Sequence, residues 1–177
     1  KNTLDEYINS STLNELQWAS ILLQIIFTLI IYQKVFDFTH NDLHTNNIVY
    51  KNTSIKHIHY VYNKQTYVVP TYGKIYKLID FGRSIYRFQK HIMYSDSFSK
   101  GNDANSQYNS VPYENMKKPL IHPNKSFDLC RLACSFYDFV FDEEDETRKE
   151  KRQKKKTEIQ KTIERWCTED NGKNILY

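Results

Sequence analysis

The stretch from His40 to Asn47 reads HNDLHTNN, and the stretch from Leu78 to Gly82 reads LIDFG. The first is a polar break after a long apolar run, and the second ends an apolar strand pattern before a glycine that permits a sharp turn. Together they place Asp42, Asn47 and Asp80 on loops next to rigid elements. A carboxylate can orient and deprotonate a hydroxyl, and a pair of hard oxygen ligands can hold Mg²⁺ against phosphate oxygens. These side chains therefore supply what phosphoryl transfer needs.

The chain around these loops predicts helices and short strands. Helical periodicity begins near residue 12, with Ser11 or Thr12 as the cap, and the apolar circumference of its second half predicts burial at the domain centre. A hairpin is predicted around Asn63-Lys64-Gln65. The predicted elements are helices over residues 12–36, 126–141 and 149–166, strands over 48–50, 57–62, 67–69 and 74–81, and a long loop over 92–123.

In this order, the two stretches resemble motifs of the protein kinase superfamily. HNDLHTNN is similar to the catalytic loop H-R-D-L-x-x-x-N, and Asp80-Phe81-Gly82 reproduces D-F-G. The resemblance covers most of residues 12–141. It implies an α+β fold: a protein-kinase-like C-terminal lobe, mostly helical, with short β-hairpins carrying the active-site loops and with the N-terminal lobe absent. It also implies transfer of the γ-phosphate of ATP, through Mg²⁺, to a Ser/Thr hydroxyl of a protein substrate.

The resemblance further implies a role for individual side chains. Asp42 would accept the proton of the substrate hydroxyl, His44 would act beside it, and Asn47 and Asp80 would hold Mg²⁺, so that Asp42, Asn47 and Asp80 together bind the cofactors. A histidine at position 44 can donate to a transferring phosphate only in a suitable tautomer or protonation state. Four residues would support the site, with His40 packing beneath Phe81 and Asp128 anchoring the loop backbone: His40, Phe81, Gly82 and Asp128.

Several departures from the kinase pattern narrow the resemblance. Asn41 stands where kinases usually have arginine, which argues against control by a phosphorylated loop pairing with that arginine. His44 stands where serine/threonine kinases commonly have lysine. A histidine at this place is seen in haspin-like kinases and in aminoglycoside-type small-molecule kinases. The segment between Asn47 and Asp80 is long, and no A-P-E follows. The long hairpin, the run IDFGRS over 79–84 and the helix pattern SFDLCRL over 126–132 look most like the divergent serine/threonine protein kinases of large DNA viruses, with haspin-like features.

Two other functions stay open. A small-molecule kinase of the aminoglycoside type is suggested by His44, although Gly82 argues against it. A pseudokinase binding module is suggested by Asn41 and by the absence of G-x-G-x-x-G and of a V-A-I-K strand, the elements that cover ATP and pair its phosphates. We expect a fragment of a longer protein that is inactive or nearly so without its N-terminal lobe.

Length and composition indicate one globular domain over residues 1–177, within which 142–165 is a charged insert or a solvated helix. The kinase resemblance implies that this domain is a partial one, the C-terminal lobe. Basic residues cluster in 148–156 (RKEKRQKKK) and contribute to a net charge of +4. Such a run can bind nucleic acid or an anionic membrane, but it is more often a solvated face. We predict no specific nucleic acid partner and no membrane partner, since the apolar run 21–32 is too short to span a bilayer.

The three cysteines are Cys130, Cys134 and Cys167, and they contain no C-x-x-C pair. This pattern indicates neither a disulfide framework nor a zinc site. Cys130 and Cys134 lie four positions apart in an apolar helix pattern, which predicts that they pack in the core. This usage fits a reducing compartment. We expect a cytoplasmic protein, found in the host cytoplasm or the virion if it is viral.

Overall fold

The computed structural model describes residues 2–107, 124–141 and 155–176. Within these ranges the strands pair as separate two-stranded antiparallel sheets, β1 with β4, β2 with β3, and β5 with β6. This mixture of helices and small strand pairs is compatible with the predicted α+β class. In chain order the elements are α1 Leu4–Asn9, α2 Glu15–Phe36, β1 Ile48–Asn52, β2 His57–Tyr62, β3 Gln65–Pro70, β4 Lys74–Leu78, β5 Tyr86–Phe88, β6 His91–Met93, α3 Phe127–Phe141 and α4 Glu158–Trp166.

Helix α2 begins later than predicted, because Asn14 rather than Ser11 or Thr12 caps it. The Asn14 side chain accepts a hydrogen bond from the Gln17 backbone N–H, and the Gln17 side chain accepts one from the Asn14 N–H. This reciprocal capping box satisfies two backbone donors that the first turn would otherwise leave unpaired.

One face of α2 is buried, and the opposite face is not. Ile21, Ile25 and Leu29 belong to the core, whereas Leu16 is 67% exposed and Val35 is 63% exposed. The prediction of a buried helix is therefore right for one side only. The whole helix is longer than the apolar run 21–32, and by length and hydropathy alone it could cross a membrane. Core helices of soluble proteins meet the same two criteria, so this is weak evidence for a membrane span.

A buried glutamine ties α2 to strand β4. The Gln24 side chain, 1% exposed, accepts a hydrogen bond from the Tyr76 N–H at 3.1 Å and donates to the Lys74 carbonyl at 3.3 Å. Buried backbone groups need such partners, since an unpaired one costs free energy comparable to a lost hydrogen bond. Gln24 thus fixes the position of β4 along helix α2.

We predict that Gln24→Leu lowers the free energy of unfolding by about 1–3 kcal/mol, because it leaves the Tyr76 N–H and the Lys74 carbonyl without these partners. Urea denaturation of the chain measures the change. Val35→Ala, on the exposed face of the same helix, serves as the control and should change it by less than about 0.5 kcal/mol. Equal values for the two variants would contradict the role given to Gln24.

The strand prediction needs two corrections. Strand β4 ends at Leu78 and not at residue 81, because Phe81–Arg83 forms a 3₁₀ turn. The hairpin between β2 and β3 turns on two residues, Asn63 and Lys64, both with positive φ, so Gln65 belongs to β3. Two-residue turns of this kind match the right-handed twist of the paired strands.

Helix α1 and the two strands of the β5–β6 hairpin were not predicted. Helix α1 is capped by the Thr3 side chain and buries Leu4 and Ile8 in the core. The β5–β6 hairpin, with Tyr86 paired to Met93, ends inside the segment that was predicted to be a loop from residue 92 onward.

Helices α3 and α4 pack together and close the core with Leu132, Phe136 and Ile163. The three cysteines are free thiols. Cys134 packs against the core, as predicted, and Cys167 is buried in it, whereas Cys130 is half-buried and is not among the core residues. Burial raises the pKa of Cys130 to about 11 and that of Cys167 to about 12. Both thiols are therefore protonated, and poor nucleophiles, at neutral pH.

Three sequence interpretations fall wholly or partly outside the described residues. They concern the later part of the loop 92–123, most of the charged segment 142–165 with its basic run 148–156, and the first residues of the predicted helix 149–166. The described part of that last helix is α4.

Candidate active site

The loop 40–47 is held from below by a buried carboxylate. Asp128, in the first turn of α3 and fully buried, accepts hydrogen bonds from the backbone N–H groups of His40 at 2.7 Å and Asn41 at 2.9 Å. One side chain from a sequence-distant helix thereby fixes two consecutive peptide units of the loop. This is the contact that the kinase resemblance implies for Asp128.

Asn41 occupies a backbone conformation that suits asparagine. Its φ is +66°, in the left-handed region that Asn tolerates better than most side chains. Its side chain is 1% exposed and donates to the Arg83 carbonyl at 3.0 Å, while its own carbonyl accepts from the Gln107 side chain at 2.8 Å. Position 41 therefore joins the loop to the segment after Asp80.

His40 connects the same loop to the second motif. Its Nε2 lies 2.9 Å from the Ile79 carbonyl, and because a carbonyl can only accept, the imidazole carries a proton on Nε2. The ring lies 5.4 Å from the ring of Phe81, centroid to centroid. His40 thus packs against Phe81, while Phe81 itself stays 44% exposed.

Burial raises the pKa of Asp128 above its ordinary value of 3.8, in spite of the hydrogen bonds from His40 and Asn41 that lower it. The folded state therefore binds this proton more tightly than the unfolded chain does. Stability from this group is fully present below pH 3.8 and is lost as the pH rises through the higher pKa of the folded state.

We predict that the stability difference between the wild type and Asp128→Asn falls as the pH rises from about 3.8, because only the wild type releases this proton. At neutral pH the variant should still be less stable by about 1–3 kcal/mol, since its amide cannot accept as well from two N–H groups. Urea denaturation of both proteins at a series of pH values measures the difference. A difference that rises with pH would contradict this account.

The carboxylate of Asp42 is contacted by two arginines that the sequence analysis did not single out. Its Oδ1 accepts from Arg83 at 3.3 Å and from Arg131 at 3.2 Å. Its Oδ2 lies 4.0 Å from Nε2 of His44, so two of the predicted catalytic side chains are neighbours. Arg83 directly follows the Asp80-Phe81-Gly82 motif, and this neighbourhood could have identified it from the sequence. Arg131 is distant along the chain, and only the fold brings it to Asp42.

Strand pairing brings Asn47 close to Asp80. The β1–β4 ladder pairs Ile48 with Leu78, and the next hydrogen bond runs from the Ile79 N–H to the Asn47 carbonyl at 3.0 Å. The Asn47 side chain donates to the Asp42 carbonyl at 2.9 Å, which ties both ends of the loop together. The β1–β4 ladder thus connects Asn47 with the segment that carries Asp80, and the hydrogen bond from the Asn47 side chain connects it with Asp42.

Asp80 is exposed and holds an uncommon backbone conformation. Its φ of 62° and ψ of 70° are left-handed, which costs a non-glycine residue of order 1–2 kcal/mol. Its Oδ1 accepts from the Gly82 N–H at 3.4 Å, a weak bond at the edge of acceptable geometry. Such strain is often found at functional sites, where it fixes a side chain for its task.

The oxygen ligands at positions 47 and 80 fit a hard cation such as Mg²⁺, which takes few protein ligands and completes its shell with phosphate oxygens and water. A closed metal cage is a different kind of site. Over residues 2–107, 124–141 and 155–176, no group of three or more His, Cys, Asp or Glu side chains could form one.

Known kinases share sequence with this chain. No model of a protein family matches it. Over 62 residues it is 37% identical to serine/threonine-protein kinase haspin of Mus musculus and 39% identical to that of Bos taurus, which covers 35% of the chain and 8% of each haspin. Over 128 residues it is 33% identical to a protein of Acanthamoeba polyphaga mimivirus named as a putative serine/threonine-protein kinase, which covers 70% of the chain and 29% of that protein.

The chain spans less than a third of the length of these relatives. The similarities support a protein-kinase-like relationship and, at that coarse level, a kinase-like phosphotransferase function. The resemblance stated from the two motifs is confirmed to this extent.

Proposed function

We propose that this chain is the catalytic lobe of a protein kinase that transfers the γ-phosphate of ATP, through Mg²⁺, to Ser/Thr hydroxyls of a protein substrate. The observation that carries the proposal is the Ile79–Asn47 backbone hydrogen bond at the end of the β1–β4 ladder. It sets the loop with Asp42 and Asn47 beside the loop with Asp80, and phosphoryl transfer needs those groups together.

Each side chain has a task that its surroundings support. Asp42 orients the substrate hydroxyl and receives its proton, since its loop is fixed by Asp128 and Asn47. Asn47 and Asp80 would hold Mg²⁺ with their side-chain oxygens, and the ion would supply positive charge to neutralise the phosphate groups. His44, beside Asp42, is placed to donate toward a phosphate when it is protonated.

Exposed apolar groups border the site and support the proposal of a second lobe. Phe81 is 44% exposed and Ile79 is 38% exposed, both adjacent to Asp80. A lobe that covers ATP would bury such groups, which favours a two-lobed enzyme. The glycine-rich strand-turn-strand and the strand lysine that pair the phosphates would come from that lobe.

We predict that the protein with its N-terminal lobe incorporates phosphate from ATP into protein substrates, and that Asp42→Ala reduces the rate by about 10²–10⁴-fold, the usual contribution of a general base. Transfer of radiolabelled phosphate measures the rate. Asp170→Ala, which changes an exposed aspartate in the C-terminal turn, is the control and should leave the rate unchanged. Full turnover by the Asp42 variant would contradict the assignment.

We predict that Asp80→Asn weakens Mg²⁺-dependent ATP binding by at least about tenfold without loss of stability, because Asp80 is exposed and strained. Asn47→Ala should weaken the same binding and also destabilise the fold, since Asn47 is buried and bonded to Asp42. Calorimetric titration of ATP with and without Mg²⁺, together with urea denaturation, separates the two effects. Wild-type ATP affinity in Asp80→Asn would argue against this metal site.

One observation favours the pseudokinase alternative. Both arginines donate to Oδ1 of Asp42, which makes that oxygen a weaker acceptor for a hydroxyl proton. Absence of any Mg²⁺-dependent ATP binding by the complete protein would favour a binding module over an enzyme.

A further inference from the structure

Two arginines from separate elements converge on one carboxylate oxygen. Arg83 ends the 3₁₀ turn after Asp80, and Arg131 lies on the exposed side of α3. Both donate to Oδ1 of Asp42. A guanidinium has five N–H donors, and each of these contacts uses one. Together the pair carries one more unit of charge than Asp42 can neutralise.

A cavity of about 190 Å³ lies beside this pair. Arg83 and Arg131 both line it, as do Ser106 and Gln107, whose groups can form hydrogen bonds. Asp103 is the one acidic residue among the described residues that line it. Together with Asp42, which both arginines contact, it balances the charge of the two guanidinium groups. The size of the cavity and the N–H donors that the two arginines do not use on Asp42 suit a single phosphate or carboxylate group.

We propose that Arg83 and Arg131 form a specificity site for an acidic or phosphorylated side chain that lies beside the acceptor hydroxyl in the substrate. The proposal rests on the proposed function for the identity of the substrate, but the anion site stands on the arginines and the cavity alone. Arginine is suited to this task because its planar fork matches phosphate and carboxylate oxygens.

The shared contact with Asp42 gives the site a consequence for catalysis. An anion in the cavity competes with Asp42 for the same two guanidinium groups. Drawing them away exposes Oδ1 of Asp42 to the acceptor hydroxyl. A substrate with the correct neighbouring anion would therefore both bind and release the base for its task.

The test is peptide binding to the chain itself, measured by fluorescence anisotropy. One labelled peptide has an acceptor serine flanked by phosphoserine, and its partner has alanine in place of the phosphoserine. We expect the phosphopeptide to bind at least about tenfold more tightly, and we expect Arg83→Ala and Arg131→Ala each to weaken it by about tenfold. Arg131→Lys should give an intermediate loss, because it keeps the charge but not the fork.

Arg87→Ala is the matched control, since Arg87 pairs with Asp37 away from the cavity. Equal weakening by all three alanine variants, or no preference for the phosphopeptide, would overturn the proposal. Inorganic phosphate should compete with the phosphopeptide in the wild type. Circular dichroism checks that each variant is folded.

Asp42→Asn gives a second, opposite readout. It removes the internal competitor for the arginines, so the phosphopeptide should bind more tightly than to the wild type. Weaker binding by this folded variant would overturn the proposal. A purely structural role of the arginines predicts no such gain.

The chain's own Ser106 is the other source of a phosphate in this cavity. Mass spectrometry of the protein and the Ser106→Ala variant distinguish it from a substrate. If Ser106 carries phosphate, and only the Ser106→Ala variant prefers the phosphopeptide, the assignment of the site to a substrate is wrong. If the wild type and the Ser106→Ala variant prefer the phosphopeptide equally, the assignment to a substrate is supported.

Failure of the proposed function is separate from failure of this inference. Absence of phosphotransfer by the complete protein, with phosphopeptide binding intact, would remove the enzyme but leave the anion site. Phosphotransfer at equal rates to both peptides would leave the enzyme but remove the specificity site.

Discussion

The site depends on a buried carboxylate that accepts hydrogen bonds from two backbone N–H groups. Asp128 fixes His40 and Asn41, and those residues in turn reach the second motif through the Ile79 and Arg83 carbonyls. Burying a carboxylate is costly, and hydrogen bonds offset only part of the cost. The raised pKa of Asp128 reflects that balance. The loop geometry is thus maintained at some expense of stability.

A second layer of support comes from strand pairing and from the N-terminal helix. The β1–β4 ladder aligns the two loops, and Gln24 fixes β4 to α2. The Thr45 hydroxyl donates to the Asp5 carboxylate of α1 at 2.6 Å, which holds the far side of the loop 40–47. Rigid elements therefore contact this loop from several sides, and precise positioning of catalytic groups requires such support.

The charge distribution around Asp42 would link the proposed base to the proposed specificity site. A carboxylate that faces two arginines can exchange those partners for an incoming anion, and the exchange requires only side-chain movement. The same arrangement, without an incoming anion, keeps Oδ1 of Asp42 occupied. Activity and its control would thus reside in one cluster of charges.

The sequence alone determined the helices α2 and α3, the strands β1 to β4 and the two polar motifs, because these depend on local patterning and on residue types a few positions apart. It did not determine the capping of α2 by Asn14, the short helix α1 or the β5–β6 hairpin, since weak local signals at these places are decided by packing. Only the tertiary structure decided that Arg131 meets Asp42 and that Gln24 meets β4. Those contacts join residues distant along the chain, and no local pattern encodes which side chains the fold brings within hydrogen-bond distance.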